Sequence, residues 1–370
     1  MDLNVVTLNI PYPPDYGGMI DSFYRIKWIK AEGVSIHLHC FEYDRSRSEE
    51  IESHCTTVNY YQRKTSLWNH LSKIPYIVKS RNSIDLLKNL QNNDFPILFD
   101  GLHTTYFLNH PYLDGRKKFI RTHNIEHLYY KSLAYFEINC LKKIYFSLES
   151  RKLRNYEERI SSSVNLLTIS SQDSNYFACN NKKVVFLPPF HPFEEVISNK
   201  GKGEYILFHG DLSVRENSLV ACSLIKNVFS RLNYNCIIAG KKPQRTLLRK
   251  AHGVKKLRII ADPDQGEMEY LIRNAHINIL PALTSNGFKL KHLIALFAGR
   301  FCISNSTAAL NFEDKSLFHI ANSDEEMIKI INQLIMIEFS DESISKRKKS
   351  LEKTFSNKMN AKKFTEIIFE

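Results

Sequence analysis

The sequence has no long apolar run, and no basic stretch followed by an apolar one near its start. Its longest apolar segments, residues 164–169 and 277–283, have the length of a β-strand, whereas a membrane-spanning helix needs about 18–20 such residues. The opening residues pass directly into a strand-like pattern, so no signal peptide is expected. These absences predict a protein that is made and kept in the cytoplasm.

Cysteine pairs with a recognisable spacing are also lacking. There are seven cysteines, an odd number, and no two of them have the C-x-x-C spacing. Most lie in apolar segments, where a free thiol behaves as a small hydrophobic side chain. A disulfide framework and a zinc site are therefore not expected.

Acidic residues are fewer than basic ones, 39 against 51, which gives a formal net charge of +12. This balance favours polyanionic partners such as nucleic acid, phosphorylated ligands or an acidic membrane surface. The basic residues are spread over many predicted helices, and the sequence has no zinc-finger, RNA-recognition or basic-zipper signature. Nucleic acid is therefore not expected as a partner.

Basic and aromatic side chains occur together in one part of the first half of the chain. This combination suits peripheral docking on the inner face of an anionic membrane. A solvated basic face explains the same residues equally well. The residues are Lys117, Lys118, Lys142, Lys143, Arg151, Lys152 and Arg154, with Tyr129, Tyr130, Tyr135, Phe136, Tyr145 and Phe146.

Short apolar strands and helical patterns alternate along the 370 residues, which are too many for one ordinary core. The alternation predicts parallel β-α-β units and an α/β fold. It is interrupted by a proline- and glycine-rich stretch, 187–203, and then begins again. We therefore predict two Rossmann-like, doubly wound domains at residues 1–190 and 204–355, with a linker at 191–203. The tail from residue 323 to 370 is predicted to be helical and basic.

Glycine-containing loops follow the first predicted strand of each domain. Ligands of open α/β sheets bind at the carboxyl ends of the strands, so these loops are candidate sites. Gly17 and Gly18 would let backbone N–H groups approach an anion at a helix start, or would form a tight turn with positive φ. Gly210 would do the same in the second domain, followed by Arg215 and by Asn217, which could cap the helix or bind a ligand.

A polar cluster follows the strand predicted at residues 118–121. It contains Arg121, His123, Asn124 and Glu126. Histidine can change charge near neutral pH. A single histidine is more often structural, but the clustering favours a functional role for His123.

Two lysines occupy the first turn of a helix predicted at residues 289–298. Asn286 and Gly287 lie in the loop before it, and Lys289 and Lys291 follow. Cations at a helix N-terminus oppose the helix dipole, at a cost of about 0.3–1 kcal/mol. This local conflict favours a bound anion that offsets it, although two solvated lysines remain an alternative.

These four loops, in this order, resemble those of the GT-B glycosyltransferases, in particular the family-4-like group called glycosyl transferases group 1. The resemblance covers nearly the whole chain and is strongest from residue 205 to 304. Residues 209–217 and 287–300 look like a bacterial subgroup often labelled mannosyltransferases. The resemblance implies two Rossmann-like domains facing a central cleft, with a C-terminal helix, 356–370, packing back on the first domain.

The resemblance also implies an activity: transfer of a sugar from a nucleotide-sugar donor to a glycan or lipid-linked acceptor in polysaccharide biosynthesis. It further implies retention at the anomeric carbon. The motif Asp262-Pro263-Asp264 has the D-x-D form of metal-dependent sugar transferases, but it lies before a helix and reads better as a turn and cap. Neither a metal nor a cofactor is expected.

The family's site residues can be transferred to matching positions here. His123 corresponds to a cleft histidine that contacts the donor sugar or acceptor, and it is the predicted catalytic residue. The predicted donor and phosphate ligands are Gly17, Gly18, Gly210, Arg215, Asn286, Gly287, Lys289 and Lys291. Further cleft candidates are Arg121, Asn124, Glu126 and Asn217.

The sequence departs from the family pattern at four positions. Asn286 and Ile294 stand where the family commonly has glutamates, and Asp211 and Glu216 replace a frequent arginine and lysine. Lys289, Lys291 and Arg215 would then provide the anion binding. The alternatives are a nucleotide-sugar epimerase or phosphorylase of this fold, or a catalytically degenerate nucleotide-sugar binding protein.

Overall fold

Two parallel β-sheets, each built from strands that alternate with helices, form the framework of residues 1–162 and 164–370, the part of the chain that the computed structural model describes. The first unit comprises Met1–Pro192, Asn286–Phe288 and Asn357–Glu370. The second comprises Phe193–Ser285 and Lys289–Ser356. The chain thus passes into the second unit after Pro192, returns to the first for Asn286–Phe288, and returns again at Asn357.

The first unit contains a seven-stranded sheet with the order β3-β2-β1-β4-β5-β6-β7, and all its pairs are parallel. Its central strands are apolar and buried because helices cover both faces. The strands are β1 (Asp2–Thr7), β2 (Ser35–Glu42), β3 (Thr57–Gln62), β4 (Ile97–Asp100), β5 (Lys118–Thr122), β6 (Asn165–Thr168) and β7 (Val184–Phe186).

Helices of the first unit pack on both faces of this sheet. The last helix of the chain belongs to the same core as the first, since Phe364 and Ile368 pack in one cluster with Phe23 and Ile26. The α-helices are α1 (Gly17–Ala31), α2 (Glu49–Ser53), α3 (Tyr76–Lys79), α4 (Ile84–Gln91), α5 (Glu126–Phe136), α6 (Cys140–Ser161), α7 (Ser171–Ala178) and, after those of the second unit, α14 (Asn357–Phe369). Short 3-10 turns lie at Leu67–Leu71, Leu102–Phe107 and Pro111–Leu113.

The second unit contains a six-stranded parallel sheet with the order β10-β9-β8-β11-β12-β13. Its strands are β8 (Tyr205–His209), β9 (Cys236–Gly240), β10 (Leu257–Ala261), β11 (Ala275–Ile279), β12 (Phe301–Ser304) and β13 (His319–Ile320). Its α-helices are α8 (Arg215–Asn227), α9 (Arg245–Ala251), α10 (Gln265–Asn274), α11 (Leu290–Ala298), α12 (Asp324–Leu334) and α13 (Asp341–Phe355).

Residues predicted to form a linker are mostly part of the second unit. The backbone N–H of Ile197 donates to the carbonyl of Phe297 (2.8 Å), and the Ser198 hydroxyl donates to the carbonyl of Gly299 (2.6 Å). Gly201 pairs with Phe339 in a short antiparallel bridge. The lack of periodicity in this stretch therefore reflects irregular packed backbone.

None of the helices in the two described ranges has both the length and the apolar character needed to cross a bilayer. The longest, α6, carries charged side chains along most of its length.

Candidate functional site

In the first unit, polar side chains meet where the neighbouring strands β4 and β5 end. Asp100 is the last residue of β4, Arg121 lies in β5, and His123 follows β5 directly. Helix α1 adds Asp21 and Arg25, one turn apart. The strand order places β1, β4 and β5 side by side, so residues far apart in sequence converge at the carboxyl edge of the sheet, where open α/β sheets bind ligands.

Two buried arginines neutralise the two buried aspartates of this cluster. Arg25 donates to Asp21 (2.8 Å) and to Asp100 (2.6 Å). Arg121 donates to both oxygens of Asp21, at 3.0 and 2.8 Å. Burial alone would raise the pKa of Asp100, but Arg25 and His123 outweigh it and hold the pKa below its ordinary value. Arg121 and Arg25 likewise hold the pKa of Asp21 below its ordinary value against the effect of burial. Both carboxyl groups are therefore ionised.

His123 is held between these carboxylates. Its Nε2 lies 2.8 Å from Oδ1 of Asp100, and its Nδ1 lies 4.0 Å from Oδ2 of Asp21. An ionised carboxylate only accepts hydrogen bonds, so Nε2 carries a proton and donates it. In the neutral ring the lone pair is then on Nδ1, which has no hydrogen-bond partner among the described residues. His123 can therefore accept a proton at Nδ1.

Asp21, Asp100 and His123 also have ligand atoms close enough together to surround a metal ion. The two arginines already supply two positive charges to the same carboxylates. A divalent cation would have to displace them, so the donor set fits an ion-pair network better than a metal site.

Arg121 and Glu126, which the sequence predicted as cleft candidates, have buried side chains. Arg121 is fully buried, and it donates to Asp21 and to the carbonyls of Leu187 (2.7 Å) and Pro188 (3.0 Å). Glu126 is also buried, and burial followed by the charge of Glu157 raises its pKa to about 8. Both residues therefore support the loop between them from inside the unit.

Gly17 and Gly18 begin α1 and have ordinary backbone conformations, so the alternative of a turn with positive φ is wrong. The preceding residue, Tyr16, makes no side-chain cap. A Cβ added to Gly18 would make only an ordinary contact with Tyr16. A Cβ at position 18 would thus fit beside the helix start without overlap.

The loop 286–288 belongs to the first unit, and Asn286 explains one departure from the family pattern. Its amide donates to Oγ of Ser132 (2.5 Å) and to the carbonyl of Leu128 (3.3 Å). A glutamate could not donate to that carbonyl. Gly287 has a φ of +64°, and a Cβ there would overlap Oδ1 of Asn124. Glycine is thus required on both conformational and steric grounds.

In the second unit, the two predicted lysines lie at the N-terminus of α11. Lys289 is the N-cap residue, and the first turn contains no acidic side chain. Nζ of Lys291 donates to Oδ1 of Asn217 (3.0 Å) and lies 5.2 Å from the ring centre of Phe208. Burial and the nearby charge of Lys289 lower the pKa of Lys291 to about 8. Burial also lowers the pKa of Lys289, although Glu216 opposes this.

Glu216 faces the same helix start. One of its oxygens accepts from the backbone N–H groups of Leu283 and Thr284, both at 3.0 Å, and from the Thr284 hydroxyl at 3.2 Å. Its other oxygen lies 3.7 Å from Nζ of Lys289. One carboxylate against two ammonium groups leaves a net positive charge beside an uncapped helix N-terminus, a setting that favours anions.

Gly210 and Arg215 flank the beginning of α8. Gly210 has a φ of +152°, and a Cβ there would contact the side chain of Asn217. Asn217 in turn donates to the carbonyl of Asp211 (2.9 Å), so it joins this loop to Lys291. Nε of Arg215 is buried and has no hydrogen-bond partner within the described part of the chain.

Comparison with known proteins identifies the domain that contains these lysines. Residues 203–336 match the family described as glycosyl transferases group 1. The second unit is a glycosyl transferases group 1 domain. Glu216, Asn217, Lys289 and Lys291 all belong to the matched segment of this glycosyltransferase.

Other similarities extend over most or all of the chain. An uncharacterized 44.6 kDa protein in the cps region of Klebsiella pneumoniae is 28% identical over 324 residues, 82% of each chain. A variant of TarM from S. aureus, in complex with fondaparinux, α-GlcNAc-glycerol and UDP, has a TM-score of 0.71 at 9% identity and full coverage of both chains. WaaG, a glycosyltransferase involved in lipopolysaccharide biosynthesis, has a TM-score of 0.68 at 13% identity and 99% coverage of each. The fold is therefore GT-B.

Four contributors to the candidate sites of the two units were not recognised from the sequence. Asp100 ends a strand directly before a glycine, and Asp21 and Arg25 are spaced as an ion pair on a helix, so each had a local signal. Glu216 was interpreted only as the loss of a family cation. Its contact with residues 283 and 284 depends on tertiary structure, and nothing in the local sequence indicates it.

Proposed function

We propose that this glycosyltransferase moves a sugar from a nucleotide-sugar donor to a glycan or lipid-linked acceptor. The observation that carries the proposal is the pair of lysines at the uncapped N-terminus of α11, one of them fixed by Asn217. A diphosphate is the anion that such a site would hold in a domain of this family. The UDP complex of the TarM variant and the cps-region relative support the donor class and a role in polysaccharide biosynthesis.

In the proposed reaction the bond from the anomeric carbon to the diphosphate oxygen breaks, and a bond to an acceptor hydroxyl oxygen forms. Negative charge grows on the leaving diphosphate, where Lys289, Lys291 and the helix N-terminus would stabilise it. Because these groups are already positive, we propose transfer without a metal. We also propose retention at the anomeric carbon, which rests on the family resemblance.

His123 is the proposed catalytic residue. Its Nδ1, which is buried and has no hydrogen-bond partner among the described residues, would accept a proton or a hydrogen bond from a sugar or acceptor hydroxyl, while Asp100 fixes the ring through Nε2. The proton released from the acceptor hydroxyl would leave through the diphosphate or a nearby base. Gly17, Gly18, Gly210, Arg215, Asn286 and Gly287 stay proposed ligand contacts.

A thermal-shift panel of nucleotides and nucleotide sugars tests the donor class, because a ligand that binds only the folded state raises the melting temperature. Turnover of the best donor should then fall in Lys291→Ala and stay unchanged in Lys226→Ala, whose lysine is exposed on α8. Unchanged turnover in Lys291→Ala would count against the assignment. Incubation with donor alone separates the epimerase alternative, since an epimerase alters the sugar without an acceptor.

A further inference from the structure

Six large apolar side chains of the first unit point into solvent from two segments. The 3-10 turn contributes Leu67, Trp68 and Leu71, which are 81%, 79% and 77% exposed. The beginning of α6 contributes Leu141, which is 79% exposed, together with Ile144 and Leu148. We call these six residues the apolar face.

The two segments lie against each other. The ring of His70, in the 3-10 turn, is 5.2 Å from the ring of Tyr145 in α6. Nζ of Lys152 donates to the carbonyl of His70 (2.6 Å). Further along α6, the carboxylate of Glu149 accepts from the backbone N–H of Tyr76 (2.7 Å). The turn is therefore docked on the helix, and the exposed apolar residues lie on two segments that contact each other.

The helical spacing shows that the exposure follows one stripe of α6. Leu141, Ile144 and Leu148 are at positions i, i+3 and i+7, the spacing of one helix face. Phe146, on the opposite side of the same turns, packs against the core of the unit. Single exposed apolar residues are ordinary, whereas a joined patch of this kind marks a surface for interaction.

The charge around the apolar face identifies the kind of partner. Residues 63–73 and 138–148 contain Arg63, Lys64, Lys73, Lys142 and Lys143, and not one aspartate or glutamate. Two copies of such a surface would repel each other, so pairing with a second chain is disfavoured. An anionic bilayer offers both an apolar interior and negative headgroups, and an exposed Trp beside lysines is typical of interfacial binding.

We propose that the apolar face docks the first unit on an anionic lipid bilayer, with Trp68 and the Leu141 stripe at the headgroup boundary. This goes beyond sugar transfer and does not rest on it, because docking can be measured without donor or acceptor. It also revises the membrane surface expected from sequence. Tyr130 belongs to the core, Phe146 packs against it, and Lys152 is bonded to His70, whereas Lys142 and Lys143 are exposed on the same part of α6 as the apolar stripe.

The test is flotation of the full chain with vesicles of phosphatidylglycerol mixed with phosphatidylcholine, and with vesicles of phosphatidylcholine alone. The chain has two tryptophans, Trp28 and Trp68, so Trp28→Phe leaves Trp68 as a single fluorescent reporter. Binding to the anionic vesicles at low salt is expected, with a blue shift of Trp68 emission and quenching by brominated lipid. Loss of binding at high salt is also expected.

Paired variants separate the two contributions. Leu141→Ser with Ile144→Ser should weaken partitioning about tenfold, and Lys142→Gln with Lys143→Gln about thirtyfold. The matched controls are Met336→Ser, at another exposed apolar residue, and Arg249→Gln with Lys250→Gln, an exposed basic pair in the second unit. All these side chains are exposed, so folding should be unaffected, and circular dichroism checks this.

Three results would overturn the proposal. The first is no flotation with anionic vesicles at low salt. The second is an equal loss of binding in Arg249→Gln with Lys250→Gln, which would mean that net charge alone acts, or in Met336→Ser, which would mean that any exposed apolar residue serves. The third is a concentration-dependent dimer that Leu141→Ser with Ile144→Ser dissociates, which would make the apolar face a contact between copies of this chain. Donor binding in the thermal-shift panel is independent of all three.

Discussion

Nε2 of His123 lies 2.8 Å from Oδ1 of Asp100, and the other oxygen of that carboxylate accepts hydrogen bonds from Arg25 and Ser22. Asp100 therefore selects the protonation of the ring: Nε2 donates, and Nδ1 keeps the lone pair. Asp100 is fully buried, and its two oxygens already accept hydrogen bonds from His123, Arg25 and Ser22. We infer that it is a positioning residue that acts through His123.

Replacing Asp100 with asparagine should change the protonation of the His123 ring and remove the buried negative charge beside Arg25, and the two effects are measured separately. An asparagine amide can donate towards Nε2, which would move the ring proton to Nδ1 and remove the acceptor. We expect kcat to fall by about 10²–10⁴-fold with little change in the donor KM. The free energy of unfolding should also fall, by about 3–5 kcal/mol, because Arg25 loses a buried partner.

Ser22→Ala is the control for this stability loss. It removes one hydrogen bond to Asp100, so about 1 kcal/mol of stability should be lost. The carboxylate and its bond to His123 are kept, so kcat should be unchanged. The double variant of Asp100→Asn with His123→Ala should be no slower than His123→Ala alone. Additive losses in kcat would show that Asp100 does not act through the histidine.

The charge of Lys291 should make donor binding depend on pH. Its pKa is about 8 in the folded chain, against an ordinary value of 10.5. Below about pH 8 the ammonium group is available to a diphosphate, so donor affinity should fall as pH rises through this value. Calorimetry near pH 8 in buffers of different ionisation enthalpy should show proton uptake, since a bound diphosphate favours the protonated lysine.

Lys291→Met should weaken donor binding about 10- to 100-fold and remove the proton uptake. The stability of the free protein gives a second check, because it should rise with pH where donor affinity falls. Between about pH 8 and 10.5 the unfolded chain binds more protons at this lysine than the folded chain, so stability should rise with pH there, and Lys291→Met should abolish the rise. Proton uptake that persists in Lys291→Met would assign it to another group.

Most of the fold could be predicted from sequence because the alternation of apolar strands and helices is a local signal. The strand predicted at residues 118–121 ends one residue later in the structure, at Thr122, and the helix predicted at 289–298 begins one residue later, at Leu290. The edge strand Thr57–Gln62 was not predicted, because its apolar and polar residues resemble those of a loop.

The site was predicted less completely for a different reason. His123 and the two lysines lie in loops or helix starts directly after strands, which the topology of open sheets marks as functional. The partners that orient them, Asp100 and Glu216, lie 23 and 73 residues away along the chain from His123 and Lys289. Only the register of the sheets brings such residues together.

Glu216 should act as an anchor for residues 283 and 284. Glu216→Ala would leave two backbone N–H groups without their acceptor and should lower the free energy of unfolding by about 1–3 kcal/mol, with weaker donor binding. Glu216→Gln keeps one acceptor oxygen and removes the charge that offsets Lys289, so donor binding should be equal or tighter. Urea unfolding and calorimetric titration measure both, and equal weakening by the two variants would point to a direct role of the carboxylate.

Gly287 should tolerate no side chain, and Gly253 provides the matched control. Both have positive φ, +64° and +89°, but a Cβ on Gly253 would meet nothing within 4 Å, whereas one on Gly287 would overlap Asn124. Alanine at either position should cost about 1–2 kcal/mol of stability from backbone strain. Only Gly287→Ala should also displace the loop 286–288 and the adjoining Lys289, lowering kcat/KM for the donor up to about 100-fold.

Adding Asn124→Ala to Gly287→Ala should restore part of that activity, because it removes the overlapping atom. If Gly287→Ala retains full activity, or if Asn124→Ala gives no rescue beyond its own effect, the close packing of these two residues does not position the loop.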